Sequence, residues 1–229
     1  DLVKTMNTHL HVIEAYAQLY RHWPDPLLYA RIQHLLDTFH THFIDPISKH
    51  LRLFFTRDWQ PVSSLVSYGH DIEAAWLLLQ CAEIIGDEVR IRIFRKYALS
   101  IAQASLEGID ASDGGMWYEY APDVHQRISE KHSWVQAEAM IGFMNAYELT
   151  GDVQWLAHVM RCWEFIRQYI RDAQHGEWFW GVDEQRMPMP NQDKAGFWKC
   201  PYHNTRAFYE LIQRISRIQE RFPIYTTTS

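Results

Sequence analysis

The feature that most constrains this chain is a helical unit that recurs along it. Apolar residues step by three and four positions through residues 3–22, which is typical of one face of a helix. A break, a second helix and an aromatic-rich insert follow, and the same order occurs twice more before one last helix. Near the start of one helix in each unit stand His11, His70, Trp134 and His203, spaced by about 60 to 70 residues.

The periodicity and its breaks predict seven helices. Six of them are at residues 3–22, 26–43, 69–85, 88–106, 132–149 and 201–219. The remaining helix runs from the Thr-Gly-Asp break after residue 149 to residue 170. Residues 51–66, 108–130 and 175–199 combine aromatic residues with turn residues, which predicts short β-hairpin inserts.

Repeated helix pairs either stack as a solenoid or close into a toroid. Solenoid repeats of about 34 to 47 residues are shorter than these units, so the sequence favours an all-α fold, an α/α toroid. Seven helices are part of a twelve-helix ring, and the chain enters a predicted helix almost at once without an initiator Met. We therefore expect residues 1–229 to be the C-terminal portion of a single domain.

Charge and cysteine content exclude several classes of protein. A formal net charge of −6 and the lack of a Lys/Arg cluster argue against nucleic acid or an anionic membrane as a partner. Cys81, Cys162 and Cys200 are too few and too far apart for a disulfide framework or a CxxC metal site. No apolar run is long enough to cross a membrane, and no signal peptide is evident. We expect a cytoplasmic protein.

Polar residues at the starts of the predicted inner helices suggest chemistry. His11 with Glu14, His70 with Glu73, and the pair His203–Arg206 are each three residues apart, so each pair shares one helix face. If these helices line one ring, the faces meet at one cavity. Two histidines of near-neutral pKa suit removal and return of a proton next to a carbonyl group. A carboxylate one turn away can fix the imidazole tautomer.

Tryptophans at the predicted mouth indicate a sugar ligand, because the C–H faces of a pyranose pack on aromatic rings. Several alternatives remain open. Asn7 belongs to a polar stripe that a solvated face would explain, Asp71 could be a helix cap, and Glu138 could be a buried structural partner. Trp178 and Trp180 are expected to be hairpin packing. The remaining histidines are expected at the surface or in packing: His9, His22, His34, His40, His42, His50, His125, His158 and His175.

Three other functions fit parts of the pattern. A metal site could use His11, His70, Glu73 and His203, although no HExxH motif or cysteine cluster is present. A glycoside hydrolase would use Asp71 or Glu73 as the acid and needs a second carboxylate that is hard to identify. A non-catalytic solenoid scaffold would not require histidines gathered at one mouth.

Four segments resemble the cellobiose 2-epimerases, a branch of the N-acylglucosamine 2-epimerase family. They are MNTHLHVIEAY (6–16), SYGHDIEAAWLL (67–78), WVQAEAMIGF (134–143) and KAGFWKCPYHN (194–204). They occur in the family's order, and the resemblance covers essentially the whole chain. It implies an (α/α)6 barrel that inverts C2 of the reducing-end glucose of a disaccharide such as cellobiose or lactose, with no metal or nucleotide cofactor.

The resemblance also implies roles for individual residues. His70 and His203 would be the acid/base pair, Glu73 would assist His70, and His11 would contact the sugar or help to open its ring. Trp134 and Trp198 would hold the sugar rings. The other expected substrate contacts are Asn7, Asp71, Glu138 and Arg206. Proton return to C1 would give aldose–ketose isomerisation instead. We expect the full-length protein to be a monomer and the isolated 229-residue chain to be inactive.

Overall fold

The computed structural model describes residues 4–221, which form three strand–helix–helix–strand units and one further helix. The first unit contains β1 (Lys4–Thr5), α1 (Met6–His22), α2 (Pro26–Thr38) and β2 (Phe54–Phe55). The second contains β3 (Val66–Ser67), α3 (Tyr68–Ile84), α4 (Glu88–Ser105), β4 (Glu119–Ala121) and β5 (Gln126–Ile128). The third contains β6 (Lys131–His132), α5 (Ser133–Thr150), α6 (Val153–Phe165) and β7 (Gly181–Val182), and α7 (Tyr202–Arg221) follows.

The predicted helices are confirmed, with small changes at their ends. The predicted helix 26–43 is α2 followed by a π-helical turn at Phe39–Phe43, and a second such turn, Ile166–Ile170, ends α6. The third residue of the chain, where the first helix was predicted to begin, lies outside the described residues. Aspartates start the outer helices: Asp25, Asp87 and Asp152 each accept backbone N–H groups of the first turn.

The inner helices pack side by side, α1 on α3, α3 on α5 and α5 on α7, and each of α1, α3 and α5 also packs on the outer helix that follows it. Helices α3 and α5 lie in the middle of this arc and are buried on nearly all sides. Their apolar residues therefore cover the whole circumference instead of one stripe. Within residues 4–221, no helix is long and apolar enough to cross a membrane.

The inserts differ from the predicted hairpins in how their strands pair. The strand before each inner helix pairs antiparallel with a strand of the insert that follows the outer helix, as in Lys4↔Phe55, Val66↔Tyr120 and Lys131↔Val182. A true hairpin occurs in the second insert, where β4 pairs with β5. In the first and third inserts, a residue of the two-residue strand also forms one bridge inside the insert, Phe55↔Pro61 and Val182↔Pro188, so each insert turns back on itself over a short distance.

This pairing positions the functional residues. Each strand pair connects the entry of an inner helix to the exit of its own outer helix, so α1, α3 and α5 all begin at the same end of the arc. The polar residues of the first turns are consequently brought together, as the repeat predicts.

Candidate active site

A cavity of about 560 Å³ lies at the N-terminal ends of the inner helices. Seven of the ten predicted site residues line it: Asn7, His11, His70, Glu73, Trp134, Trp198 and His203. Asp71, Glu138 and Arg206 were also predicted to contact the substrate, but they are not among the cavity-lining residues. Both carboxylate oxygens of Asp71 and of Glu138, and both terminal nitrogens of Arg206, bind other groups of the protein.

His70 begins α3 and lies against the indole of Trp134, with 4.9 Å between the ring centroids. Its Nδ1 shares a hydrogen bond of 2.7 Å with Ser67 Oγ. Burial, together with the nearby His11 and His203, lowers the pKa of His70 to about 4. The imidazole is therefore neutral at ordinary pH and is able to accept a proton. The prediction that Glu73 holds His70 is wrong, because Glu73 binds Arg206 and Ser67 occupies Nδ1 of the imidazole.

His203, in the first turn of α7, is held by Glu138 of α5. Its Nδ1 lies 2.8 Å from Glu138 Oε1, and because a carboxylate only accepts, Nδ1 carries a proton and Nε2 is the ring nitrogen left free for the substrate. Glu138 is fully buried and also accepts from Trp76 Nε1 at 3.0 Å and from Arg206 Nη2 at 2.7 Å. Although burial would raise the pKa of Glu138, the charges of Arg206 and His203 lower it. Glu138 thus orients His203 from beneath the cavity.

His11, on α1, has a carboxylate partner of its own. Its Nδ1 lies 3.2 Å from Glu14 Oε2, which also accepts a hydrogen bond of 2.5 Å from Tyr202. The hydrogen bond to Glu14 raises the pKa of His11. Burial would raise the pKa of Glu14, but His11 and Arg206 outweigh it and bring that pKa to about 2. The pKa of His11 is therefore raised and that of His70 is lowered, although both side chains line the same cavity.

Arg206 of α7 joins carboxylates from three different inner helices. Its guanidinium donates to Glu14 Oε1 at 2.6 Å and to Glu138 Oε1 at 2.7 Å, and it also donates to Glu73 Oε1. The second oxygen of Glu73 is buried and has no hydrogen-bond partner. Burial and the neighbouring Glu138 raise the pKa of Glu73. Of the three carboxyl groups, Glu73 is therefore the one that most readily holds a proton.

Asp71 is structural, which corrects its predicted contact with substrate. The side chain is fully buried; Oδ1 accepts from the backbone N–H of Leu51 and Oδ2 from His50 Nδ1, each at 2.7 Å. His50, expected at the surface or in packing, is the buried partner in this pair. Both carboxylate oxygens point away from the cavity towards the first insert, because the next residue after His70 on a helix faces a different direction.

Aromatic residues form the walls of the cavity. Trp134 lies between the two catalytic candidates, 4.9 Å from His70 and 5.4 Å from His203 by ring centroid. Gly69 lies so close to the Trp134 ring that a Cβ would be 2.6 Å from it, so only glycine leaves room for the indole. Trp198 is 82% exposed on the loop before α7. Five further ring side chains line the cavity, and the sequence either did not point to them or assigned them to packing: Tyr118, His132, Trp178, Trp180 and Tyr202.

The signals for the missed residues were present but weak. His132 stacks on Tyr118 at 3.9 Å between centroids, and it precedes the first residue of α5, just as Ser67 precedes α3. Alignment of the three helix entries would have pointed to this position. Trp178 packs against Phe208 and also lines the cavity, so packing and site roles coincide in one residue.

A metal ion could in principle be held by Glu73, Glu138 and His203, whose ligand atoms lie within 4.8 Å of one another. The guanidinium of Arg206 already donates to both of these carboxylates, and Nδ1 of His203 donates to Glu138. The position between the two carboxylates is therefore filled by a cation of the chain itself. The donor set does not fit a metal unless Arg206 leaves it.

Comparisons with known proteins agree with this geometry. A sequence model of the N-acylglucosamine 2-epimerase (GlcNAc 2-epimerase) family matches residues 2–207. A cellobiose 2-epimerase of Bacteroides fragilis is 45% identical over 209 residues, which cover 91% of this chain and 53% of that protein. A cellobiose 2-epimerase of Dictyoglomus turgidum is 37% identical over 213 residues, or 93% of this chain and 54% of that protein.

A solved structure, the cellobiose 2-epimerase of Bacillus thermoamylovorans, superposes with a TM-score of 0.87 at 40% identity. The match covers 93% of this chain and 54% of that one. The predicted fold class, an α/α toroid with short strand inserts, is confirmed. The chain spans about half the length of the curated relatives it matches.

Proposed function

Because the chain belongs to the N-acylglucosamine 2-epimerase family, we propose that the full-length protein is a sugar 2-epimerase acting on the reducing-end glucose of a β-1,4 disaccharide. Cellobiose is the first substrate to test, since the similar curated proteins are named cellobiose 2-epimerases. The observation that carries the proposal is the pair of imidazoles, His70 and His203, which line one cavity against the same indole ring.

The two imidazoles are prepared for proton transfer in complementary ways. In the open-chain aldose, one histidine takes the proton from C2, next to the aldehyde, and a cis-enediolate forms. After rotation about C2–C3, the other histidine, which enters the reaction protonated on the nitrogen that faces the cavity, returns that proton to the opposite face and becomes neutral. His70 is neutral because of its burial, and His203 presents Nε2 because Glu138 binds Nδ1. In the reverse reaction the two residues exchange roles.

His11 suits the step that opens the ring. Its raised pKa favours the protonated imidazole, which can donate a hydrogen bond to the ring oxygen or to O1. Glu73 is a further polar group on the floor of the cavity, with one oxygen bound to Arg206 and the other unpaired. Trp134 and the exposed Trp198 offer faces for the two sugar rings.

The glycoside hydrolase alternative fits less well. A hydrolase requires two carboxyl groups on either side of the glycosidic bond, about 5 to 10 Å apart. Both oxygens of Asp71 are occupied by Leu51 and His50. Both oxygens of Glu138 are engaged, by Trp76 on one side and by His203 and Arg206 on the other, which leaves Glu73 without a second free carboxyl group across the cavity. The aldose–ketose isomerase uses the same enediolate and differs only in the carbon that receives the proton.

The test is NMR of the full-length protein with cellobiose in D₂O. We expect deuterium at C2 of both epimers, loss of exchange in His70→Ala and His203→Ala, and full activity in the presence of EDTA. His158→Ala is the control, because that half-buried histidine packs on Phe143 and Trp155 away from the cavity. Release of glucose would favour hydrolysis, a ketose labelled at C1 would favour isomerisation, and loss of activity on chelation would indicate a metal.

A further inference from the structure

We propose that Arg206 is a positioning residue that sets the orientation of His11 and the orientation and tautomer of His203 through the carboxylates of Glu14 and Glu138. Arg206 was predicted to bind substrate, but it is not among the residues that line the cavity, and its guanidinium binds these carboxylates instead. The consequence for catalysis rests on the proposed epimerase function, whereas the consequence for the histidines does not.

The geometry consists of two parallel chains of contacts. One guanidinium nitrogen, Nη1, donates to Glu14, and Glu14 binds Nδ1 of His11. The other, Nη2, donates to Glu138, and Glu138 binds Nδ1 of His203. Glu14 therefore separates Arg206 from His11, whereas Nη2 also lies 3.4 Å from Nδ1 of His203 itself. Among residues 4–221, no other arginine or lysine forms an ion pair with Glu14 or Glu138.

The planar fork of arginine is what allows one side chain to serve both carboxylates. Its two terminal nitrogens point in different directions, whereas a lysine ammonium is a single point of charge on a flexible stem. Aromatic rings fix the guanidinium in place: its carbon lies 4.5 Å from the Tyr202 ring centroid and 5.2 Å from that of Trp76. Lysine at this position could satisfy one chain of contacts and would leave the other incomplete.

The charges that face Arg206 explain what its loss would do. Helix α1 presents His11 and Glu14, α3 presents Glu73, α5 presents Glu138, and α7 presents Tyr202 and His203. Two buried carboxyl groups, Glu73 and Glu138, and the partly buried Glu14 surround one permanent cation. Without the cation, mutual repulsion and burial favour protonation of these carboxyl groups.

Protonation of Glu138 would reverse its hydrogen bond with His203. A carboxylic acid donates, so Nδ1 of neutral His203 would become the acceptor and the ring proton would move to Nε2, the nitrogen that must accept a proton when His203 acts as the base. Protonation of Glu14 would likewise weaken the acceptor that holds Nδ1 of His11. Arg206 therefore keeps neutral His203 in the tautomer that proton transfer needs and holds the orientation of His11, although it does not touch the reacting atoms.

The test uses the full-length protein with ¹⁵N-labelled histidine, in the Arg206→Lys variant, with Arg206→Gln as the more severe change. In the unsubstituted protein, ¹⁵N shifts should report the proton of neutral His203 on Nδ1. In Arg206→Lys we expect a mixed or reversed tautomer for neutral His203. We also expect kcat to fall by roughly 10- to 100-fold, typical for groups that orient a ligand or catalytic side chain, with a smaller change in KM.

Arg214→Lys is the matched control. Arg214 lies two turns further along α7, is buried, and binds Asn145 and Glu148 instead of the histidine partners. This control should lose stability to a similar degree while the histidine shifts and the pH profile of kcat stay unchanged. Native tautomers and a kcat within twofold of the unsubstituted value in a folded Arg206→Lys protein would overturn the proposal, and so would equal effects in Arg214→Lys. Failure of the epimerase proposal would appear separately, as absent C2 exchange in the unsubstituted protein.

Discussion

Replacement of Asp71 tests whether this carboxylate supports the fold or takes part in catalysis. Asp71 is next to His70 in sequence, and a hydrolase would use it as an acid, yet it binds only the Leu51 amide and His50. Asp71→Ala removes both acceptors. The Leu51 amide and the His50 ring, both buried, would then lack a partner on this side.

The magnitude follows from those two contacts. A buried donor left without an acceptor costs about 1–3 kcal/mol, so two such donors cost about 2–6 kcal/mol. Part of this cost is offset in the variant, because Asp71→Ala also removes a carboxyl group that is unfavourable to bury. The pKa of Asp71, which burial raises, reflects that unfavourable burial. We expect Asp71→Ala to lower the free energy of unfolding by about 3 kcal/mol.

Asp71→Asn should be milder, by about 1–2 kcal/mol, since the amide oxygen still accepts one hydrogen bond. The third unit supports this expectation. Gln136 occupies the same position in α5, and its neutral amide binds both the N–H and the C=O of Met116, each at 2.8 Å. A neutral side chain can therefore tie an inner helix to an insert at this point.

The measurements are urea unfolding and C2 deuterium exchange, both on the full-length protein. Exchange per folded molecule should stay close to that of the unsubstituted protein in both variants. Asp152→Ala is a graded control, because this exposed cap accepts one hydrogen bond, at 2.9 Å, and its loss should cost about 1 kcal/mol. If Asp71→Asn unfolds normally but exchanges more than 100-fold more slowly, the structural interpretation is refuted and Asp71 is catalytic.

Three further predictions concern the cavity. Because the pKa of His70 is about 4 in the folded protein and about 6.5 when unfolded, the unfolded state binds more protons between these values, so stability should fall from pH 6.5 to 4. His70→Asn should flatten that part of the stability profile measured by urea unfolding, and an unchanged slope would contradict the shift. Gly69→Ala should displace the Trp134 ring and raise KM for cellobiose; unchanged KM would mean that the ring is not a sugar platform. Trp198→Ala should alter unfolding by less than about 0.5 kcal/mol, since the side chain is 82% exposed, yet raise KM in the same assay; normal KM would exclude contact with the sugar.

The sequence predicted the helices and the helix faces that form the site, but it did not predict most hydrogen-bond partners of the site residues. Periodicity and spacing depend on residues close in the chain, and these placed His11, His70 and His203 at one mouth, as the cavity confirms. Hydrogen-bond partners depend on which neighbouring helix is nearer. His11 binds Glu14 on its own helix, but His203 binds Glu138 of the preceding inner helix.

The long-range strand pairs and the partner of Asp71 were not predicted, for the same reason. A hairpin inside each insert is the local solution, but β6 pairs with β7 across an entire helix pair, which only the folded arrangement reveals. Asp71 looks like a helix cap from its position, and its actual partner, His50, comes from the previous unit. Long-range contacts of this kind leave no periodic signal in one sequence.

The repeat does carry one signal that explains the centre of the site. Glu14, Glu73 and Arg206 each lie three residues after a histidine of their inner helix, and Glu138 lies four residues after Trp134. A glutamate in place of Arg206 would bring four carboxyl groups to one point beneath the cavity, where repulsion and burial would drive protonation. A protonated carboxyl group is a weaker acceptor for Nδ1 of His11 or His203. The change from glutamate to arginine in the last helix supplies the cation that keeps Glu14 and Glu138 as acceptors, so the departure from the repeat is what makes the repeated position useful for proton transfer.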